Sequence, residues 1–208
     1  MKPVFDAFVH QLEHLGAAHH LADHARHAPA SDETIAAIEA IAGPLPADLA
    51  GWWRVADRAL PFDGAMTSIA PVQAAKEMQR NQKMIEEGAF DDPLQNIRSW
   101  DDGRWRDGRM KEVYWHPGWV PFAEDGCGNL ICVDLDPGSH GTIGQIIQME
   151  FQEGQGPYLS PWPDFSALIL GHLYLLEHRR VDIDEDMAIE YPDLSSSQMV
   201  QLLAALGR

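Results

Sequence analysis

The stretch Trp115-His116-Pro117-Gly118-Trp119-Val120-Pro121-Phe122-Ala123-Glu124-Asp125-Gly126-Cys127-Gly128-Asn129-Leu130-Ile131-Cys132-Val133-Asp134-Leu135-Asp136-Pro137-Gly138 decides the fold class. Its two short apolar runs, Trp119 to Ala123 and Leu130 to Leu135, are rich in the aromatic and β-branched residues that suit a pleated, packed surface. Between them Glu124 to Asn129 carries two glycines able to take positive φ, so the segment reads as a hairpin loop. Asp136-Pro137-Gly138 opens the next turn, and Ile143 to Phe151 supplies a third run. The expectation is an antiparallel meander.

Helices flank the meander on both sides. Phe5, Phe8, Val9, Leu12 and Leu15 keep one helical face, with Gly16 as the stop. A second helix begins at the Ser31-Asp32 cap, turns Ile35, Ile38 and Ile41 inward and ends at Gly43-Pro44. A third follows from Leu45 with Leu49, Trp52, Trp53 and Ala56 in period. Ala65 to Ala70 is a short strand candidate, and Pro71 opens a helix to about Glu87. After the meander, Phe165, Leu168, Ile169, His172, Leu173 and Leu176 form one apolar stripe, and Met199, Leu202, Leu203 and Leu206 another. This order predicts an α+β fold, an antiparallel sheet with helices packed on one face. Three parts follow: a His-rich helical extension at 1–30, a domain at 31–180, and an acidic linker with an end helix at 181–208.

Thirty-two acidic against 15 basic residues leave a formal charge of −17, which opposes contact with nucleic acid and anionic membranes. Such a surface suits a basic protein partner or simply solubility. No apolar run reaches the length of a spanning helix, and Asp6 and His10 interrupt the first apolar segment, so neither membrane insertion nor export is expected and the location is read as cytoplasmic. Two cysteines, Cys127 and Cys132, cannot build a disulfide framework. With His116 and His140 they make a conceivable zinc set, but without the close ligand pairs of structural sites; two small buried thiols are expected instead.

Six of the ten histidines, His10, His14, His19, His20, His24 and His27, fall near the start, and the pairs His10/His14 and His20/His24 have metal-ligand spacing on a helix. Gly16 interrupts that helix, so no metal or other cofactor is assigned. The segment Asp91 to Arg109 reads as a long loop, with a basic island of Arg98, Arg104, Arg106, Arg109 and Lys111 at which an acidic group could dock. Asp125, Asp134 and Asp136 could hold a cation or share acid–base roles, but Asp beside Gly and Pro is ordinary turn chemistry. Trp115 and Trp119 could stack a sugar or peptide, although burial is the commoner fate of such a pair, and His172 reads as a core histidine with one hydrogen-bond partner.

The quoted stretch, followed by Gly141-Thr142-Ile143-Gly144-Gln145-Ile146-Ile147, resembles the SUKH superfamily and, more narrowly, the Smi/Knr cell-wall-assembly regulator family. Leu45-Pro46-Ala47-Asp48-Leu49 is similar to the family's leading Leu-Pro helix, and Phe165 to Leu170 stands where its closing helix begins. The likeness runs from about Ile35 to His178; Asn129 stands where many relatives carry Asp.

The resemblance implies a binding scaffold without a catalytic set or cofactor. Bacterial members commonly act as immunity proteins that neutralise toxin domains, and fungal relatives regulate cell-wall glucan synthesis through protein contacts. The leading expectation is therefore an immunity protein for a cognate toxin, with a basic toxin domain as partner. The alternative is an intracellular regulator or scaffold of cell-wall synthesis, and a His-rich metal-binding protein comes third. The partner contacts expected are Trp119, Asp125, Asn129, Asp134, Asp136 and the acidic run Asp182, Asp184, Glu185 and Asp186.

Overall fold

The computed structural model describes residues 1–16, 27–62, 66–88, 107–111, 113, 115–150, 155–183 and 189–208. Lys2–His14 forms α1, which buries Phe5, Phe8 and Leu12, and Gly16 turns the chain beyond it at φ 81°. Asp32–Ala42 forms α2; Ser31 Oγ accepts from the Thr34 N–H at 3.2 Å and Gly43 ends the helix. Ala47–Trp53 forms α3, shorter than its apolar spacing suggests. Val55 and Ala56 instead donate to the Trp52 carbonyl, and Ala56 is buried without being helical.

Thr67–Ser68 (β1) leads into α4, Pro71–Glu86, with proline in the first turn where its missing N–H costs nothing. Then come β2 (Trp119–Glu124), β3 (Leu130–Asp134), β4 (Gln145–Glu150) and β5 (Gln155–Leu159), joined as one antiparallel sheet in the order β1-β2-β3-β4-β5. Phe165–Glu177 is α5, capped by Asp164, whose Oδ1 accepts from the Ala167 N–H at 2.8 Å. Asp182–Ile183 (β6) pairs with Ile189–Glu190 (β7), so part of the stretch read as a linker is a small hairpin. Ser196–Ala205 is α6, opened by a Ser195/Gln198 capping box.

The α+β architecture matches the sequence reading, with three more strands, β4's partner β5 and the β6–β7 pair, than the apolar runs indicate. In register, Trp119 stands opposite Asp134, Val120 opposite Val133, and Val133 opposite Ile146. A bulge falls between Pro121 and Ala123. All five residues of β3 are buried, and successive side chains point to opposite faces, so both faces of this strand are covered. On one side α5 faces Ile131 and Gln148; on the other, α4 brings Glu77 and Arg80 to Glu124. This explains why Leu130-Ile131-Cys132-Val133 is continuously apolar rather than alternating.

A chain of edge-on aromatic contacts runs through the core. Phe5 and Phe8 meet Trp52 at 5.1 and 6.3 Å, Trp52 meets Phe165 at 6.0 Å, Phe165 meets Phe122 at 5.1 Å, and Phe122 meets Phe62 at 5.8 Å. Each such pair adds about 0.5–1.5 kcal/mol to its area burial. The chain binds α1 to α3, α5 and the sheet, and Met199 and Leu202 of α6 join the same core. Both flanks outside the family resemblance therefore pack into one interior. Asp48 adds a polar tie, its Oδ2 accepting from the Ser166 N–H at 3.0 Å and from the Ser166 hydroxyl at 2.6 Å.

Candidate functional site

The glycine-, aspartate- and tryptophan-rich stretch folds into a clasp between the 107–111 segment, the turn before β2 and the turn after β3. Gly118 donates its N–H to His116 Nδ1 at 3.1 Å, which leaves the hydrogen of the neutral imidazole on Nε2. That atom lies 3.4 Å from Asp136 Oδ2 and 3.2 Å from Lys111 Nζ. Lys111 in turn forms an ion pair with Asp136. Burial, reinforced by the Lys111 charge, lowers the His116 pKa and keeps the ring neutral, against the opposing pull of Asp136. Asp136 is held below the usual carboxylate range, first by its bond to Lys111.

Beneath this pair Asp134 is fully buried. Its Oδ1 accepts from the Asp136 N–H at 3.1 Å and its Oδ2 from Gln145 Nε2 at 2.9 Å. Gln145 also donates to the Arg109 carbonyl at 2.9 Å and accepts from the Thr142 N–H at 3.1 Å, so one buried amide locks three segments. Burial raises the Asp134 pKa, and the bonds from Gln145 and Asp136 pull it back only in part. The backbone closes equally tightly: Gly138 donates to the Arg109 carbonyl at 3.1 Å, and His140 to the Gly108 carbonyl at 2.9 Å. A Cβ at Gly138 or Gly141 would overlap the carbonyl oxygens of Gly108 or Arg109, which is why glycine stands at both.

At the hairpin tip Asp125 shapes the loop. Its Oδ1 accepts from the N–H groups of Cys127 and Asn129 at 2.8 and 3.1 Å, and its Oδ2 from Asn129 Nδ2 at 2.7 Å. Gly126 and Gly128 take φ of 74° and 108°, as the hairpin reading requires.

The expected contact residues thus separate. Trp119 and Asp134 are wholly buried, Trp119 as an aromatic neighbour of Trp115 at 6.0 Å and Asp134 as the anchor of the clasp, so neither presents surface to a partner. Asp125, Asn129 and Asp136 reach the surface but are bonded into their turns. Asp182 is exposed on β6; Asp184, Glu185 and Asp186 lie outside the described residues. His10 and His14 are on the exposed side of α1, and His14 Nε2 lies 3.1 Å from Arg179 Nη2, a cation where a metal would bind. His20 and His24 lie outside the described residues, as do Arg98, Arg104 and Arg106 of the basic island. Arg109 and Lys111 are paired with Asp107 and Asp136. Cys132 is buried, but Cys127 is exposed at the hairpin tip, against the expectation of two buried thiols, because it lies in the loop and not in a strand. Gln145 was not singled out by sequence; its place in a Gly-Gln-Ile run after a turn carried no sign that the amide points inward.

A model of the SMI1 / KNR4 family (SUKH-1) matches residues 29–171, and the chain belongs to that family. Among characterised relatives, it is 39% identical over 80 residues to a cell wall biosynthesis/cell cycle regulator of Schizosaccharomyces pombe, covering 38% of this chain and 15% of that protein. It is 30% identical over 100 residues to a cell wall assembly regulator of Saccharomyces cerevisiae, covering 44% of this chain and 19% of that protein. Against a glucan synthesis regulatory protein of Neurospora crassa the identity is 47% over 38 residues, 18% of this chain and 7% of the other. In each case the match spans less than a fifth of the fungal protein. No helix among the described residues is long and apolar enough to cross a membrane.

Proposed function

We propose that this chain is a protein-binding regulator of cell-wall or envelope polymer synthesis, acting inside the cell as an adaptor rather than as a catalyst. The observation that carries the reading is the similarity to fungal proteins named for wall assembly and glucan synthesis. The clasp is consistent with it. His116, Lys111, Asp134, Asp136 and Gln145 satisfy one another, so they maintain a shape on which partner-specific surface can be displayed. The direct test is capture of partners on the immobilised full chain at low salt, followed by a salt gradient and identification of what elutes. Wall-polymer synthases or their signalling components support the regulator, and an eluate without them contradicts it.

A second reading, neutralisation of a basic toxin domain, draws on the formal charge of −17. Complementary charge would speed association and make it salt-sensitive. The same experiment separates the two, since this reading requires a single basic polypeptide with toxin activity that the chain inhibits.

A further inference from the structure

We propose that the cavity between α5, the sheet and the carboxy-terminal segment is a binding site for a small uncharged ring compound carrying one hydrogen-bonding group, held against His172. The cavity measures about 240 Å³ and is walled by Ile131 of β3, by Trp162, by Leu168 and His172 of α5, by Tyr191 and by Met199 of α6. That is room for about eight waters, below the ~300–1,000 Å³ of sites for drug-sized molecules, and suits one or two fused rings.

The walls are built to fix the imidazole. A Cβ at residue 171 would overlap the Trp162 ring, so Gly171 is what lets that indole lie on α5. Trp162 then meets His172 edge-on at 5.3 Å, while Tyr191 stacks on it at 3.8 Å with the planes 12° apart. His172 is 4% exposed, and its Nδ1 has no hydrogen-bond partner among the described residues. Burial lowers its pKa to about 3, so the ring is neutral at ordinary pH and offers one N–H and one lone pair. The residue is buried, as the sequence reading of a core histidine expects, and Nδ1 is the nitrogen left unmatched.

The charge pattern selects the ligand class. Apart from the neutral His172 and Tyr191, the ionisable lining residue is Asp193, exposed at the mouth. A charged ligand would lose its hydration without a buried counter-charge, whereas a neutral ring loses little and gains contact with Trp162, Leu168 and Met199.

The test is titration of the full chain at about pH 7.5 with indole, which has one N–H, and separately with benzene, which has none. Both probes are expected to produce saturable changes in the side-chain NMR signals of Trp162. In His172→Phe the affinity for indole falls about tenfold, the loss of one hydrogen bond, while that for benzene is little changed. Thermal unfolding of the variant reports that it is folded. Leu194→Trp, which places a bulky ring in the lining, abolishes binding of both probes and serves independently if His172→Phe fails to fold. Non-saturating changes, changes spread over the whole surface, or indole binding that is equal in wild type and both variants would overturn the proposal.

Discussion

Gly138 lies against Gly108 so closely that a single added Cβ would overlap the Gly108 carbonyl oxygen, while its own N–H bonds to the neighbouring Arg109 carbonyl at 3.1 Å. This approach brings the 107–111 segment onto the turn after β3 and so places Lys111 beside Asp136. The glycine is required for space rather than for an unusual backbone angle.

Substitutions at two glycines separate those causes. Gly138→Ala should cost about 2–3 kcal/mol through the clash, and Gly138→Asn no less. Gly126, at φ 74° with open space around its Cβ position, should cost about 1–2 kcal/mol as Ala and less as Asn, which tolerates the left-handed region. Urea unfolding of the four variants reads the difference.

Asp134→Asn should destabilise the protein by about 1–3 kcal/mol at neutral pH, because an amide can still accept from the Asp136 N–H but sets its own NH₂ against that of Gln145. The pH dependence has a definite sign. Burial raises the folded pKa of Asp134, so its contribution to stability is greatest below the ordinary aspartate range and declines as pH rises through the raised value. The Asn variant should lose that decline, which unfolding free energies across a pH series will show.

His172 works in the opposite direction. Its folded pKa of about 3 lies below the ordinary 6.5, so the neutral ring's contribution is complete above pH 6.5 and is lost as pH falls toward 3. Between pH 7 and pH 5 this one group should remove about 2 kcal/mol. His172→Phe should flatten that part of the profile, and a wild-type profile that is equally steep with and without the imidazole would refute the assignment.

Asp125→Ala removes the acceptor of three bonds in the hairpin loop. In this exposed setting the expected loss is about 1 kcal/mol. The sharper readout is local: amide hydrogen exchange at Cys127 and Asn129 should accelerate while exchange in β3 stays slow.

Much of the fold is legible in the sequence because its signals are local. The Ser31 cap, the Gly43 stop and the paired apolar runs around Asp125 each act within a few residues, and α2 and the β2–β3 hairpin form where those signals stand. β5 is not legible: Gln155-Gly156-Pro157 carries no apolar run, yet proline is tolerated on the edge strand of a sheet. α3 misleads in the other direction, since Ala56 keeps the helical period through burial after the helix has ended. Within the site, Asp125 is readable from its own Gly-rich loop. The Lys111–Asp136 pair spans 25 residues and the Gln145–Arg109 bond 36, distances over which spacing carries no information. Asp134 looks like a surface recognition residue in a turn-rich stretch, and only the cover on both faces of β3 shows that it is interior; Trp119, also expected as a partner contact, takes instead the burial that is the commoner fate of a Trp115/Trp119 pair.

The central claim is that the chain regulates wall-polymer synthesis through protein contacts. Its most direct test is to delete the gene in the cells that produce the protein and to measure incorporation of a labelled wall-polymer precursor, with the wild-type gene restored as control. The account predicts an altered rate of incorporation that returns to normal on restoration. An unchanged rate in the deletion strain would contradict it.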